Sequence, residues 1–218
     1  MHDFNDDDIL KLEQNTFRPH FLGVYQFHNS TPLKGTRYAK RLDNAIVRQN
    51  VEDCNWLFYE YKMKNDEAVF ASIKKCYMDA LADGIFESAN NLGVLAYNFE
   101  QRHEDGKAFL QLAIEHGSLN AMINMFTVLW VEDAKVGIEF LQKNMESPLP
   151  SLRCMYNLAY LYYKGDKEKG NALMKDNERA ISIFNKIVEC EGNPIYAVEK
   201  EAIEKARKFI KYLRSAKF

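Results

Sequence analysis

Three stretches of this chain overlay at one fixed spacing. Ser88-Ala89-Asn90-Asn91-Leu92-Gly93-Val94-Leu95 is followed by Ala121-Met122-Ile123-Asn124-Met125-Phe126-Thr127-Val128, and then by Cys154-Met155-Tyr156-Asn157-Leu158-Ala159-Tyr160-Leu161. Asn91, Asn124 and Asn157 fall in register, as do Leu92, Met125 and Leu158. A period of about 33 residues marks stacked helical hairpins. One hairpin cannot bury both of its apolar faces, so each unit must cover the next. Chains built this way usually present a surface to a partner rather than enclose a catalytic pocket.

The second helix of each unit repeats too. Gly106-Lys107-Ala108-Phe109-Leu110-Gln111 aligns with Gly137-Ile138-Glu139-Phe140-Leu141-Gln142, and the endings at Gly84 and Gly117 lie one period apart. Gly93, Ala159, Gly106, Gly137 and Ala180 provide small residues where helix axes come closest. Apolar spacing and breakers predict helices over Glu67 to Ala82, Glu87 to Asn98, about Glu104 to His116, Asn120 to Val131, Asp133 to Met145, Leu152 to Lys164 and Asn177 to Cys190. In the first of these, Ala68, Ala71, Cys76, Ala80 and Leu81 can share a face. Gly84, Gly117 and Gly192 close hairpins, because glycine tolerates the left-handed conformation of a helix C-cap. Pro148 and Pro150 mark another exit.

The ends differ from the middle. Residues 1–36, with Pro19, Gly23, Pro32 and Gly35 among Phe17, Phe21, Leu22, Val24, Tyr25 and Phe27, are expected to pack as an N-terminal cap. Residues 37–193 form the repeats, including a degenerate early unit around Trp56 to Met63. Residues 194–218 read as a capping helix with Ala202, Ala206, Phe209, Ile210 and Leu213 inward. Glu199, Lys200, Glu201, Glu204, Lys205, Arg207 and Lys208 are assigned to its wet side. The three parts form one continuous domain in this reading.

A hydrophobic content of 47% supports a substantial core. The net charge of -2 argues against a general electrostatic grip on nucleic acid or anionic membrane. Cys54, Cys76, Cys154 and Cys190 include no Cys-x-x-Cys pair, so zinc-ribbon and thioredoxin-like readings fail and reduced thiols are expected. The start, Met-His-Asp-Phe-Asn-Asp-Asp-Asp, has neither the basic nor the apolar region of a secretory signal. No apolar run reaches membrane-spanning length. A cytoplasmic protein is expected.

The repeats resemble the Sel-one-like family, close relatives of the tetratricopeptide repeats. Leu158-Ala159-Tyr160-Leu161-Tyr162-Tyr163-Lys164-Gly165 follows that family's first-helix pattern, and Leu92-Gly93 matches its Leu-Gly pair. Ala113-Ile114-Glu115-His116-Gly117 is similar to the ending of its second helix, and Asp176-Asn177-Glu178-Arg179-Ala180 to that helix's beginning. The match runs over roughly residues 65–192. It departs from the pattern at Phe126, which replaces a small residue, and at Ala96 and Leu129, which replace Tyr. The resemblance implies an all-α, right-handed α-solenoid and a role in protein–protein interaction.

Tyr97, Trp130 and Tyr163 also recur once per period, at a position that lines the concave groove in related tetratricopeptide repeats. The resemblance implies a partner-binding face made of Asn90, Tyr97, Trp130, Arg153, Tyr156, Tyr160, Tyr163 and Lys164. Aromatic side chains supply large contact area at low entropic cost. The same rings serve equally as fillers between hairpins, and both readings stand. The Asn91, Asn124 and Asn157 column either clamps an extended peptide or fixes the stacking; we take the second. Related domains clamp a partner's terminal carboxylate with Lys, Arg and Asn. Arg153 and Asn124 suit that, but Asn90 and Val94 do not complete it, and no clamp is predicted.

Motifs for chemistry are missing from the sequence. Asp3 to Asp8 resembles a calcium loop superficially, but Asp8 stands where the turn glycine belongs and Gln14 where the closing Glu belongs. Helix capping or plain disorder explains those acids better. His2, His20, His28, His103 and His116 form no pair at metal-ligand spacing and lie in no nucleophile motif. Gly165 to Gly170 reads as a solvated loop, not a phosphate cradle. The sequence therefore predicts a non-enzymatic protein- or peptide-binding scaffold with no cofactor or metal, and with neither nucleic acid nor membrane as partner. Two alternatives are a small intracellular antagonist, such as an immunity protein covering a toxin's active site, and an enzyme whose site is assembled from distant residues.

Overall fold

A computed structural model describes residues 67–165 and 173–215. The readings on residues 1–36, on the helical pattern before Glu67, on the Asp3 to Asp8 run, on His2, His20 and His28, and on most of the polar loop after Gly165 lie outside the described residues. Within them the chain is all-helical, with no strand. The α-helices are α1 (Glu67–Ala82), α2 (Glu87–Asn98), α3 (His103–Glu115), α4 (Leu119–Glu132), α5 (Ala134–Met145), α6 (Leu152–Lys164), α7 (Asn177–Glu189) and α8 (Lys200–Ser215). A 3-10 segment, Pro194–Glu199, leads into α8.

Local chemistry places these boundaries. Asp133 accepts from the Lys135 amide at 2.8 Å and starts α5, and Asp176 accepts from the Arg179 amide at 2.9 Å and starts α7. Each satisfies one of the amides that a helix start leaves without an internal partner. Gly84 and Gly117 end α1 and α3 in the same way. Their φ values are +84° and +83°. The amide after each reaches back five residues, Ile85 to the Ala80 carbonyl and Ser118 to the Ala113 carbonyl, both at 2.9 Å. This bond closes the last turn and requires the left-handed conformation that glycine adopts without strain.

Two compact units divide the described chain at residues 125 and 126, within α4. In the unit ending at Met125, α1 packs on α2 and α2 on α3. Gly93 and Gly106 let α2 and α3 approach closely: a Cβ on Gly106 would lie 2.8 Å from the Tyr97 Cβ and 3.0 Å from the Gly93 carbonyl oxygen. In the other unit, α5 packs on α6, α6 on α7, and α7 on α8, which also meets α6. Gly137 of α5 lies against α4, where an added Cβ would stand 2.9 Å from the Trp130 Cα.

The anchors Leu92, Met125 and Leu158 are all buried, as are the small residues Ala159 and Ala180. Phe126, which departs from the small-residue pattern, is buried as well. Two expectations need correction. Among the described side chains of α1, Ile73, Tyr77 and Ala80 are buried and Ala71 is exposed, so Ala80 keeps its expected place and Ala71 does not; the side chains of Ala68 and Cys76 lie outside the described residues. The turn from Ile73 to Tyr77 to Ala80 follows the three- and four-residue spacing better than an alanine count does. At the start of α8, Glu199 belongs to the interior and not to the wet face: it is 1% exposed. The rest of the α8 stripe, Ala202, Ala206, Phe209, Ile210 and Leu213, is buried as expected, joined by Ile203.

Candidate functional site

The aromatic column is built at the C-terminal ends of α2, α4 and α6. Tyr97, Trp130 and Tyr163 are each half-buried. Tyr97 meets His103 edge-on at 4.4 Å between ring centres, and Trp130 lies 5.8 Å from Phe126. The backbone of Tyr97 rests on Gly106 and that of Trp130 on Gly137, so two aligned glycines hold two aligned aromatics. Tyr97 and Trp130 therefore sit at the close crossing of one helix with the next, each half-buried.

The third sequence stretch is different because α8 packs on it. The Phe209 ring reaches Tyr156 at 6.5 Å, Tyr160 at 5.9 Å, Tyr163 at 5.0 Å and Phe184 at 5.1 Å. The hydroxyls of Tyr163 and Tyr212 lie 3.4 Å apart. Tyr156 is fully buried, and its hydroxyl is pushed well above the usual phenol range by burial, helped by Tyr160 and Glu201. Tyr160 and Tyr163 remain half-buried and Lys164 is exposed.

Three of the expected partner-binding residues are thereby corrected. Tyr156 is a core residue, because Phe184 and Phe209 enclose its ring. Asn90 is fully buried: it accepts from the Asn124 amide at 2.7 Å and donates to Asn91 Oδ1 at 3.1 Å. Arg153 is committed to Glu199, with its Nε donating to Oε1 at 2.9 Å and only 13% of its side chain exposed. The Asn90 amide is thus enclosed, and the Arg153 Nε is engaged by the Glu199 carboxylate.

Two polar systems emerge from these contacts. The first stitches α2 to the start of α4. Asn124 donates to Asn90, and Asn120 donates to Glu87 at 2.7 Å, each bond joining one repeat to the next. Tyr77 joins through Asn91, and burial raises its hydroxyl well above the usual value against the opposing pull of that bond. The second surrounds Glu199. Its carboxylate accepts from the Ser151 hydroxyl and the Leu152 amide, both at 2.7 Å, as well as from Arg153. It thus caps α6 from far downstream in the chain, placing a negative charge where the helix dipole favours one. Cys154 lies inside this cluster. Burial pushes its thiol up to about 12, the Glu199 carboxylate adds to that, and Ser151 and Arg153 oppose it.

Sequence reading missed Glu199 because it sits in a charged run and nothing in the repeat register points to it. It missed an open pocket of about 570 Å³ at the start of α7 as well. There Gln142 donates to the Tyr162 hydroxyl at 3.3 Å and Arg179 stacks 4.6 Å above the Tyr162 ring. Lys175, Asp176 and Glu178 also line it, so it offers charges of both signs but no nucleophile–base pair. Among the described residues no group of three His, Cys, Asp or Glu side chains is arranged to hold a metal ion. His103 and His116 are exposed at helix ends. Cys154 and Cys190 are free thiols. Among the described residues no helix is long and apolar enough to cross a membrane.

Comparisons with family models, curated proteins and solved structures found no match to this chain.

Proposed function

We propose that this chain is a right-handed α-solenoid, akin to the Sel-one-like and tetratricopeptide repeats, that binds another protein or a peptide without catalysing a reaction. The observation that carries the reading is the placement of Tyr97, Trp130 and Tyr163. Each recurs once per repeat and lies half-buried at the C-terminal end of its helix, and two stand on aligned glycines. Rigid aromatics with one open side suit a contact surface, since little freedom remains to be lost on binding. With Asn90 and Tyr156 buried and Arg153 held by Glu199, the residues we propose for partner contact are Tyr97 in one unit and Trp130, Tyr160, Tyr163 and Lys164 in the other. The free thiols fit a reducing, cytoplasmic setting.

The test is affinity capture from the native cell, with the wild-type chain beside a Trp130→Ala/Tyr163→Ala double variant that keeps its helical circular dichroism. A partner held by the wild type and lost by the double variant is expected. Equal capture by both would remove these aromatics from the interface.

A further inference from the structure

The C-terminal helix carries a charge imbalance that the binding reading above does not use. Lys200–Ser215 contains six basic and two acidic side chains, a net +4. The whole chain is -2, so the remainder stands at -6. Within the helix Lys205 pairs with Glu201 at 2.7 Å, and Arg207 reaches Glu191 at 2.5 Å. Lys200, Lys208, Lys211 and Arg214 are exposed. At about 100° per residue they fall within an arc of about 120° on the side away from buried Phe209, along about 21 Å of helix. Beside this stripe, one residue from Lys211 and one turn from Lys208, stands half-buried Tyr212, paired with Tyr163. Lys175 lies 5.5 Å above the Tyr163 ring.

We propose that this basic stripe and the Tyr163–Tyr212 pair form a docking surface for an acidic protein segment carrying an aromatic or apolar anchor. The proposal rests on the reading of the chain as a binding protein and names the chemistry of its partner. The net -6 of the remaining chain repels an extended polyanion such as nucleic acid and leaves attraction local to one helix. The apolar face of α8 is spent on the core, with Ala202, Ile203, Ala206, Phe209, Ile210 and Leu213 all buried, so it has nothing to insert into a bilayer. A short acidic segment meets neither obstacle. Its carboxylates match the lysine spacing, and its anchor finds the partly open tyrosine pair, a residue type enriched at binding hot spots.

The test uses the full-length chain and a labelled synthetic peptide of alternating Glu and Ser with one central Trp. Binding is expected, weakening as salt rises. A Lys208→Gln/Lys211→Gln/Arg214→Gln variant is expected to lose about tenfold in affinity. Lys208→Glu/Lys211→Glu is expected to reverse the preference toward the Lys-for-Glu version of the peptide, a gain that misfolding does not produce. Gln111→Ala, at an exposed position of α3, is expected to leave this binding unchanged, and Trp130→Ala, which probes the aromatic column, is measured beside it. Absent peptide binding, equal affinity in the neutralised variant, or tighter binding of duplex DNA or phosphatidylserine vesicles than of the peptide would each overturn the proposal. Loss in Trp130→Ala with none in the charge variants would overturn it too, while leaving the aromatic-column reading in place.

Discussion

The two compact units both bury polar groups between helices, but they do so by different means. In the unit ending at Met125 the groups are neutral amides, Asn90, Asn91 and Asn124, joined across neighbouring repeats. In the unit that follows, the central group is a carboxylate, Glu199, which reaches back to the start of α6 and is met there by a hydroxyl, a backbone amide and a guanidinium. The amide system links sequence stretches about one period apart, Asn124 to Asn90 and Asn120 to Glu87. The carboxylate system occurs off register and fastens a non-repeating end. A lost amide leaves modest desolvated dipoles behind. A lost carboxylate leaves a guanidinium and a helix start without their counter-charge.

The sharpest way to break this comparison is to remove the carboxylate. Glu199→Ala is expected to cost about 3–5 kcal/mol, because removing one partner of a buried pair leaves the other uncompensated. Urea unfolding followed by circular dichroism measures it. Asn90→Ala is expected to cost less, about 1–3 kcal/mol, for the Asn124 and Asn91 groups that lose their bonds. If the Asn90 variant proves the less stable of the two, the amide system and not the charge is the stronger fastening, and the contrast between the units falls.

The difference between the units also explains what the sequence made legible. The starts of α2, α4 and α6, the Leu92, Met125 and Leu158 anchors and the endings at Gly84 and Gly117 fall within one residue of the 33-residue spacing, so aligning the chain with itself exposes them. The same register places the aromatic column, while the pairing of Tyr97 with Gly106 and of Trp130 with Gly137 emerges only from packing. Asn90 was misplaced because a helical position beside the groove says nothing of what lies opposite it. Here that neighbour is Asn124, one residue off the strict period. Arg153 and Tyr156 were misplaced for one shared reason: the C-terminal segment arrives from outside the matched repeats with Glu199 and Phe209 and covers them. A charge in a solvated run has the same local sequence signature whether it faces water or a helix start far earlier in the chain.

Alkaline titration sharpens the comparison further, with a smaller effect. Each unit buries a group whose ionisation folding suppresses: Tyr77 beside Asn91 in one, Cys154 beside Glu199 in the other. Both values are raised in the folded chain, so the folded state holds protons that the unfolded state releases. The associated stability is complete below the unfolded value and is lost as pH climbs through the window between the two. For Cys154 that window runs from 9.0 to about 12, whereas the Tyr77 window opens only at 10.0. Stability is therefore expected to begin falling near the cysteine's window first, by at most about 1.4 kcal/mol per pH unit for one group. Urea midpoints measured across that range check this, and Cys154→Ala is expected to flatten the first part of the decline while leaving the part set by the tyrosines. A decline of unchanged steepness in the Cys154→Ala chain would mean that burial, with Glu199 beside it, does not suppress this thiol's ionisation.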